Sequence, residues 1–312
     1  YDVNTRLHDL LARESHAASD YVAPAEDIEV KVSDFYAKVS SPVLTGVELA
    51  FEGLDAYDIY PREIPDIFKG SQLIVLGKYR GQGRGRAILT GASRDARRTF
   101  RYAVRCASDE DNAFIPRLWA TRRIGFLVDE LRLHGEDREL VNEIVHLSKK
   151  YGIITEYTSF LVDVDHSVAH RDFAPMAEKK LQDATTSSSG AAAVNRAKSS
   201  NLIAGASVAP RGYTDSEGAE REISNVAHAG ARTFFEKNGL WVDSEYDGAA
   251  KPVAIRKFSE AYFELLRRAP AIGKYLALGD EVIFVTNGRA VRVGAEGAET
   301  LPEAELRALA GR

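Results

Sequence analysis

The sequence predicts an α+β protein assembled from several small parts, and three observations carry that prediction. Residues 114–151 hold the longest stretch of helical periodicity in the chain. Residues 43–106 alternate as strands do and are interrupted by a glycine-rich turn. Residues 231–294 contain two Asn-Gly dipeptides, each between short runs suited to strands, with a helical pattern between the two pairs.

The helical stretch is read first because its pattern is strongest. Pro116 suits the first turn of a helix, where a missing N–H costs nothing. Trp119, Ile124, Leu127, Val128 and Leu131 form one apolar face, while Arg122, Arg123, Asp129 and Arg132 fall mostly elsewhere on the wheel. Gly135 is placed to end the helix, since glycine tolerates the left-handed conformation. Glu136, Asp137 and Glu139 then sit where a second helix would start and where negative charge suits the helix dipole. Leu140, Ile144, Leu147 and Tyr151 recur at helical spacing, and Gly152 follows as a stop. Ile153, Ile154, Tyr157, Thr158, Phe160 and Val162 favour a strand. Residues 109–163 thus read as a helical hairpin plus a strand.

The other parts follow in order. In residues 1–41, Asp2 or Asn4 caps a helix with Leu7, Leu10 and Leu11. Tyr21 and Val22 make a short strand before Pro24, and Ile28, Val32, Phe35 and Val39 mark a second helix. Residues 42–108 read as an antiparallel β-sandwich from Val43–Phe51, Gln72–Tyr79, Arg86–Thr90 and Thr99–Cys106. Residues 164–231 change character. No aromatic residue occurs between Ala174 and Gly212, and DATTSSSGAAAVNRAKSS has the composition of a linker with at most a loose helix. Residues 215–230 read as a weak helix. Residues 232–294 form a small α+β unit. Asn238-Gly239 joins Thr233–Glu236 to Leu240–Asp243, Ser259 caps a helix with Ala261, Tyr262, Leu265 and Leu266, and Asn287-Gly288 joins Glu281–Thr286 to Ala290–Val293. Residues 295–312 read as a tail with a frayed helix.

Composition narrows the function classes. A hydrophobic content of 45% and a charged content of 28% are those of an ordinary globular protein. The formal charge of -5 argues against a nucleic-acid partner. No apolar run reaches the roughly 18–20 residues of a membrane span. Cys106 is the sole cysteine, which rules out an internal disulfide and a cysteine-based zinc site. The chain begins at Tyr1 rather than Met and is expected to be a piece of a longer one, so the lack of a signal peptide carries no information on secretion.

No nucleophile–base–orienter set can be assembled from spacing, and no catalytic, cofactor-binding or metal residue is assigned. Asp163, Asp165, His166, His170 and Asp172 are the densest group of potential metal ligands, with His166 and His170 at i, i+4. No Glu follows His166, as a zinc-protease helix requires, so a solvated start of the linker is the favoured reading. A metal-dependent hydrolase centred on this group is the alternative. His170-Arg171-Asp172 echoes a kinase catalytic loop without its companions. Gly77, Gly81, Gly83 and Gly85 include GxGxG, but strand-like residues follow where a phosphate site needs a helix. Arg94, Arg97, Arg98, Arg101 and Arg105 line one β segment, with Arg122 and Arg123 adding charge. They suit an acidic partner, though arginines on the wet face of a strand, balanced by nearby acids, are the plainer reading. Trp119 and Trp241 suit core packing better than interface anchoring.

One resemblance is long enough to name a family. The run LWATRRIGFLVDELRLHGEDRELVNEIVHLSKKYGIITEYTSFLV resembles the segment that follows the von Willebrand factor A (VWA) domain in inter-alpha-trypsin-inhibitor heavy-chain-like proteins. Arg122, Arg123, Gly135, Tyr151, Gly152, Tyr157, Thr158 and Ser159 carry it. Similar runs occur at YDVNTRL, SSPVL, IYPREIPDIFKGSQLIVLGKY, LWVDSEYD and AYFELLRRAPAIGKYLALGDEV. The family places a VIT domain first and the VWA domain next. The resemblance therefore implies that residues 1–41 are the α-β-α end of a truncated VWA domain. It also implies that residues 42–108 belong to a β-rich hub to which upstream strands contribute, leaving an open edge here. The adhesion-site motif DxSxS is absent, so this chain is not expected to build the family's metal site. The implied function is non-enzymatic: a scaffold that meets a protein or matrix partner, in a parent that is extracellular, periplasmic or on the cell surface, with a bacterial-type member fitting the linker and lone cysteine. A regulatory module serving an intracellular ATPase is a further possibility that the lack of disulfides leaves open.

Overall fold

The computed structural model describes residues 3–311 apart from 16, 18, 24, 25, 82, 95, 107–111, 136, 167–172, 186 and 187. Of the residues named above, Asp2, Pro24, Glu136, His170, Arg171 and Asp172 lie outside the described residues. The chain divides into two compact units. One comprises Tyr1–Asp137, Leu181–Pro210 and Thr214–Glu220, the other Arg138–Lys180, Arg211–Tyr213 and Arg221–Arg312. The two helices read as a hairpin, 114–134 and 138–151, both form, one in each unit.

The first unit opens with α1 (Thr5–Glu14), capped by the Asn4 side chain, and α2 (Ile28–Val39), capped by Asp27, which accepts from the N–H groups of Glu29 and Val30. No strand forms at Tyr21–Val22. Two residues with no strand beside them cannot close a ladder. Tyr21 is instead buried, its hydroxyl donating to Asp9 at 2.5 Å and to the Thr5 carbonyl at 3.0 Å.

The strands are β1 (Pro42–Glu52), β2 (Asp55–Tyr60), β3 (Ile67–Phe68), β4 (Leu76–Arg80), β5 (Gly83–Ser93) and β6 (Ala96–Cys106). They form an antiparallel four-stranded sheet in the order β3-β1-β5-β6, and β2 pairs with β4 as a separate ribbon. The glycine-rich stretch therefore does not close a hairpin between its flanking strands: β4 and β5 belong to different sheets. Leu44, Val47 and Leu89 make the small core of the four-stranded sheet, with Leu49, Ile64, Ile67 and Leu73 packed against it.

Helix α3 (Phe114–His134) buries Trp119, Ile124, Leu127, Val128 and Leu131 as its periodicity predicts, and Leu118 besides, and Gly135 ends it at φ 98°. The next elements are α4 (Arg138–Tyr151), α5 (Ala174–Thr185) and α6 (Ala191–Ala204). The stretch read as linker thus contains two helices. Ala193, Val194 and Ala197 of α6 are buried, and α6 packs on α3 so closely that a Cβ at Gly125 would stand 2.7 Å from the Ala204 nitrogen. Alanine-rich sequence has both the composition of a linker and the small side chains that let two helices touch, and only the partner helix distinguishes the two.

In the second unit, α4 leads not to a strand but to a 3₁₀ helix over Glu156–Val162. Thr155 and Thr158 cap one another across its first turn, the Thr155 N–H donating to the Thr158 hydroxyl at 3.0 Å. β-Branched and aromatic residues there are buried by helical contacts, so tertiary packing overrides propensity. The ribbon strands β7 (Gly212–Thr214) and β8 (Glu220–Glu222) pair with each other. A six-stranded mixed sheet follows, built from β9 (Val226–Ala229), β10 (Arg232–Lys237), β11 (Leu240–Asp243), β12 (Val253–Arg256), β13 (Glu281–Thr286) and β14 (Arg289–Gly294) in the order β12-β14-β13-β11-β10-β9. Residues 215–230, read as a weak helix, instead supply β8 and β9.

Both Asn-Gly turns take the left-handed pair of conformations that tight hairpins need, with φ of 55° and 82° at Asn238-Gly239 and 48° and 74° at Asn287-Gly288. The two hairpins join through parallel pairing of β11 with β13. Ser259 caps α7 (Glu260–Arg268), and α8 (Gly273–Leu276) and α9 (Glu303–Ala310) complete the unit. Phe234, Ile255, Leu265, Phe284, Val291 and Leu309 share one core. The C-terminal helix is therefore no frayed tail: Leu306 and Leu309 are buried, and Thr286 and Asn287 side chains donate to the Leu309 carbonyl at 3.1 and 2.7 Å.

Candidate functional site

The acidic and histidine group at 163–172 is the first place to look. Asp163 caps the 3₁₀ helix, and its carbonyl accepts from the Lys237 ammonium. His166 is buried, stacked on Phe235 with ring centroids 4.2 Å apart and planes at 24°. Its Nε2 lies 2.7 Å from the Leu161 carbonyl and therefore carries the proton, and Nδ1 is buried without a partner among the described residues. Burial, with Lys149 and Lys237 nearby, holds its pKa below the ordinary histidine value. A neutral ring packed on phenylalanine is neither a solvated linker residue nor an exposed ligand. Among the described residues, no three His, Cys, Asp or Glu side chains converge as a metal ion requires.

The residues that carry the resemblance are also structural. Arg122 donates from Nε to the Ala206 carbonyl at 2.9 Å and from Nη1 to the Ile74 carbonyl at 2.6 Å, and so ties three segments together. Arg123 donates to the Tyr60 hydroxyl. Gly152, at φ 62°, lies where a Cβ would meet Val226 at 2.7 Å and Thr233 at 2.8 Å. Tyr157 and Thr158 are buried, and Ser159 accepts from the Lys180 ammonium at 2.6 Å. Trp119 is buried as expected, donating to the Asp58 carbonyl at 2.8 Å beneath the Lys78 ammonium, 4.0 Å from its ring. Trp241 packs at the margin of the second unit's core. Because Arg122 and Arg123 are anchored in this way, they add nothing to the arginine stripe on the β segment.

A polar cluster and a cavity lie between α1, α3 and α6. Arg132 binds Asp9 at 3.0 Å and Asp129 at 2.9 Å, and the Ser200 hydroxyl donates to Asp129 at 2.5 Å. A cavity of about 390 Å³ beside it is lined by Arg13, Tyr60, Arg62 and Phe126 among others, and burial raises the Tyr60 phenol above its ordinary pKa. Arg62 stacks 4.8 Å over Tyr60, and Arg13 pairs with Glu130 at 2.5 Å. The charges in this cluster neutralise one another, which is the signature of an internal brace.

The β5–β6 hairpin is different. Residues 83–106 hold seven arginines and one aspartate in a chain of net charge -5. The register pairs Leu89 with Phe100, Ala87 with Tyr102 and Gly85 with Val104, which puts these residues on one face. The intervening pairs, Ala92 with Arg97, Ile88 with Arg101 and Arg84 with Arg105, lie on the other. Arg97 bonds Glu48 at 2.6 Å and Arg86 bonds Glu52 at 3.3 Å. Among the described residues, no carboxylate lies within ion-pair distance of Arg84, Arg98, Arg101 or Arg105. The idea that nearby acids balance this stripe therefore covers only part of it. On the apolar face, Phe100 and Tyr102 are 43% and 54% exposed. An open cavity of about 670 Å³ beside them is lined by Leu49, Phe51, Leu54, Ile59, Tyr102 and Val104 among others. Sequence alone marks the arginines. The alternation of Arg101 and Arg105 with Phe100, Tyr102 and Val104 was there to be read, but not the exposure of β6 on both faces among the described residues.

The chain is 24% identical over 199 residues to inter-alpha-trypsin inhibitor heavy chain H3 of Pongo abelii, a match that takes in 60% of this chain and 22% of that protein. It is 26% identical over 177 residues to inter-alpha-trypsin inhibitor heavy chain H4 of Homo sapiens, covering 52% of this chain and 19% of that one. The chain thus spans about a fifth of the length of the relatives it matches. No family model matches it, and no solved structure matches it.

Proposed function

We propose that this chain is a non-enzymatic interaction module of a larger VIT/VWA-type protein, and that it meets a protein or matrix partner through the β5–β6 hairpin. The observation that carries the reading is the exposed arginine-rich edge: eleven residues of β6, exposed along most of their length, with Arg98, Arg101 and Arg105 lacking carboxylate partners among the described residues. A strand edge left open by a folded protein invites pairing. The similarity to proteins named as heavy chains of an inhibitor supports it, since a heavy chain is by its name one component of an assembly. In this reading residues 1–41 are the end of a VWA domain whose metal-dependent ligand site lies outside this chain, and the parent protein works outside the cytoplasm. No helix among the described residues is long and apolar enough to cross a membrane.

The test is site-specific photo-crosslinking. A crosslinking amino acid at Tyr102 on β6 is compared with one at the exposed Arg267 on α7. Discrete protein or matrix adducts at 102, absent at 267, are expected. Equal adducts at both positions, or none at 102, would remove the hairpin as the interaction surface.

A further inference from the structure

We propose that β6 accepts one more strand: an extended segment of a partner protein in which acidic and apolar residues alternate. This rests on the reading of the hairpin as an interaction surface and names what that surface takes.

β6 is the last strand of its sheet and is bonded along its whole length to β5 on one side. In an antiparallel ladder, alternate residues direct their N–H and C=O to one neighbour and the rest direct theirs to the other side. About half of the backbone groups of β6 therefore face outward. Among the described residues, no turn or loop backbone bonds to them. An added strand satisfies them and gains a ladder of hydrogen bonds, which supplies affinity without sequence preference.

The two faces supply the preference. Side chains of an added strand alternate in the same register as those of β6. Those on one face stand opposite Arg97, Arg101 and Arg105, where Arg101 and Arg105 have no carboxylate partner among the described residues. Those on the other stand beside Phe100, Tyr102 and Val104, where the apolar cavity is open. Directly opposed residues on adjacent strands approach within about 5 Å, so opposite charge on the first face and apolar side chains on the second are both favoured. Charge complementarity therefore selects glutamate or aspartate at every second position, and the bare aromatic face selects aliphatic residues between them.

The same geometry argues against nucleic acid. Single-stranded nucleic acid needs basic and aromatic side chains on one surface, so that phosphates and stacked bases are met together. Here Phe100 and Tyr102 share their face with Arg98, and the remaining arginines of β6 point the opposite way. An added strand reaches both faces at once; a nucleic-acid strand does not.

The experiment uses the 312-residue chain and fluorescent nine-residue peptides read by anisotropy. One alternates Glu with Val, one alternates Lys with Val, one has the Glu/Val composition in two blocks, and one is the Glu/Val peptide N-methylated at every second residue. A uridine homopolymer is the nucleic-acid probe. The alternating Glu/Val peptide is expected to bind at least tenfold tighter than the other three peptides, and R101E/R105E is expected to weaken it about tenfold and shift preference to Lys/Val. Equal binding of the N-methylated peptide removes strand pairing. Equal binding of Lys/Val removes the charge argument. Tighter binding of the homopolymer assigns the face to nucleic acid, a concentration-dependent dimer that excludes the peptide assigns it to a second copy, and exclusion of the peptide from a version of the chain extended upstream assigns it to a strand of the same protein. If crosslinks at position 102 persist while the alternating peptide does not bind, the interaction surface stands and the strand assignment falls.

Discussion

The two sheets of this protein end in opposite conditions. Phe234 and Phe284 of the six-stranded sheet are 0% exposed, under α7 and α9, while Phe100 and Tyr102 of the four-stranded sheet are 43% and 54% exposed. Phe100 and Tyr102 sit in a strand that alternates, whereas β10 and β13 bury three residues in a row, Thr233–Phe235 and Val282–Phe284. What differs is whether anything covers the face. Alternation states which residues share a side of a sheet, and it is silent on the layer above. A sheet whose apolar face is closed contributes stability, and one left open contributes a surface.

The largest test of the contrast is truncation of an aromatic residue in each sheet. Phe284→Ala should destabilise the protein by about 3–5 kcal/mol in chemical denaturation, as a cavity in a filled core does. Tyr102→Ala should stay within about 0.5 kcal/mol, as surface changes do. A loss at Tyr102 near that at Phe284 would mean that the open face is already part of a core.

Next in size is Gly152→Ala. The site combines a positive φ of 62° with a Cβ position 2.7 Å from Val226, so a loss of about 2–3 kcal/mol is expected. Gly239→Ala has φ 82° but nothing within 4 Å and should lose only about 1 kcal/mol. If the two variants melt alike, close packing at Gly152 is not what fixes that turn.

A pH series sharpens the contrast from the closed side. The ordinary histidine pKa is 6.5, and burial holds that of His166 below it in the folded chain. Below pH 6.5 the unfolded chain then binds more protons than the folded one, so stability falls as pH drops from 7 toward 5. Denaturation midpoints should follow that slope, and His166→Asn should flatten it. An unchanged slope would show that His166 takes up its proton alike in the folded and the unfolded chain.

The smallest effect is at Phe258, which is 67% exposed and holds φ at 62°. Phe258→Gly relieves a left-handed conformation and loses little packing, so thermal unfolding should move by less than about 1 kcal/mol, in the stabilising direction. Marked destabilisation would show that this aromatic packs more firmly than its exposure implies.

Much of the fold was legible where one residue type answers to one local geometry. Asn238-Gly239 and Asn287-Gly288 announced their hairpins, Asn4 and Ser259 their caps, and Gly135 the end of α3. Tyr157, Thr158 and Phe160 misled, because residues that favour strands took a 3₁₀ helix once both Thr155 and Thr158 capped it and the core accepted their side chains. The alanine-rich stretch misled in the other direction, because its burial depends on Gly125 of α3. The candidate site was half visible: the arginines at 97, 98, 101 and 105 stood out in the sequence, while the bareness of both faces did not.

What the sequence by itself determined are the turns, caps and helix periods and the similarity to inter-alpha-trypsin inhibitor heavy chains, all properties of neighbours along the chain. Only the tertiary structure decided that Arg122, Gly152 and His166 are internal supports and that β6 is an edge. Burial and pairing are set by residues far away in sequence, and a strand carries no mark of whether another will lie beside it.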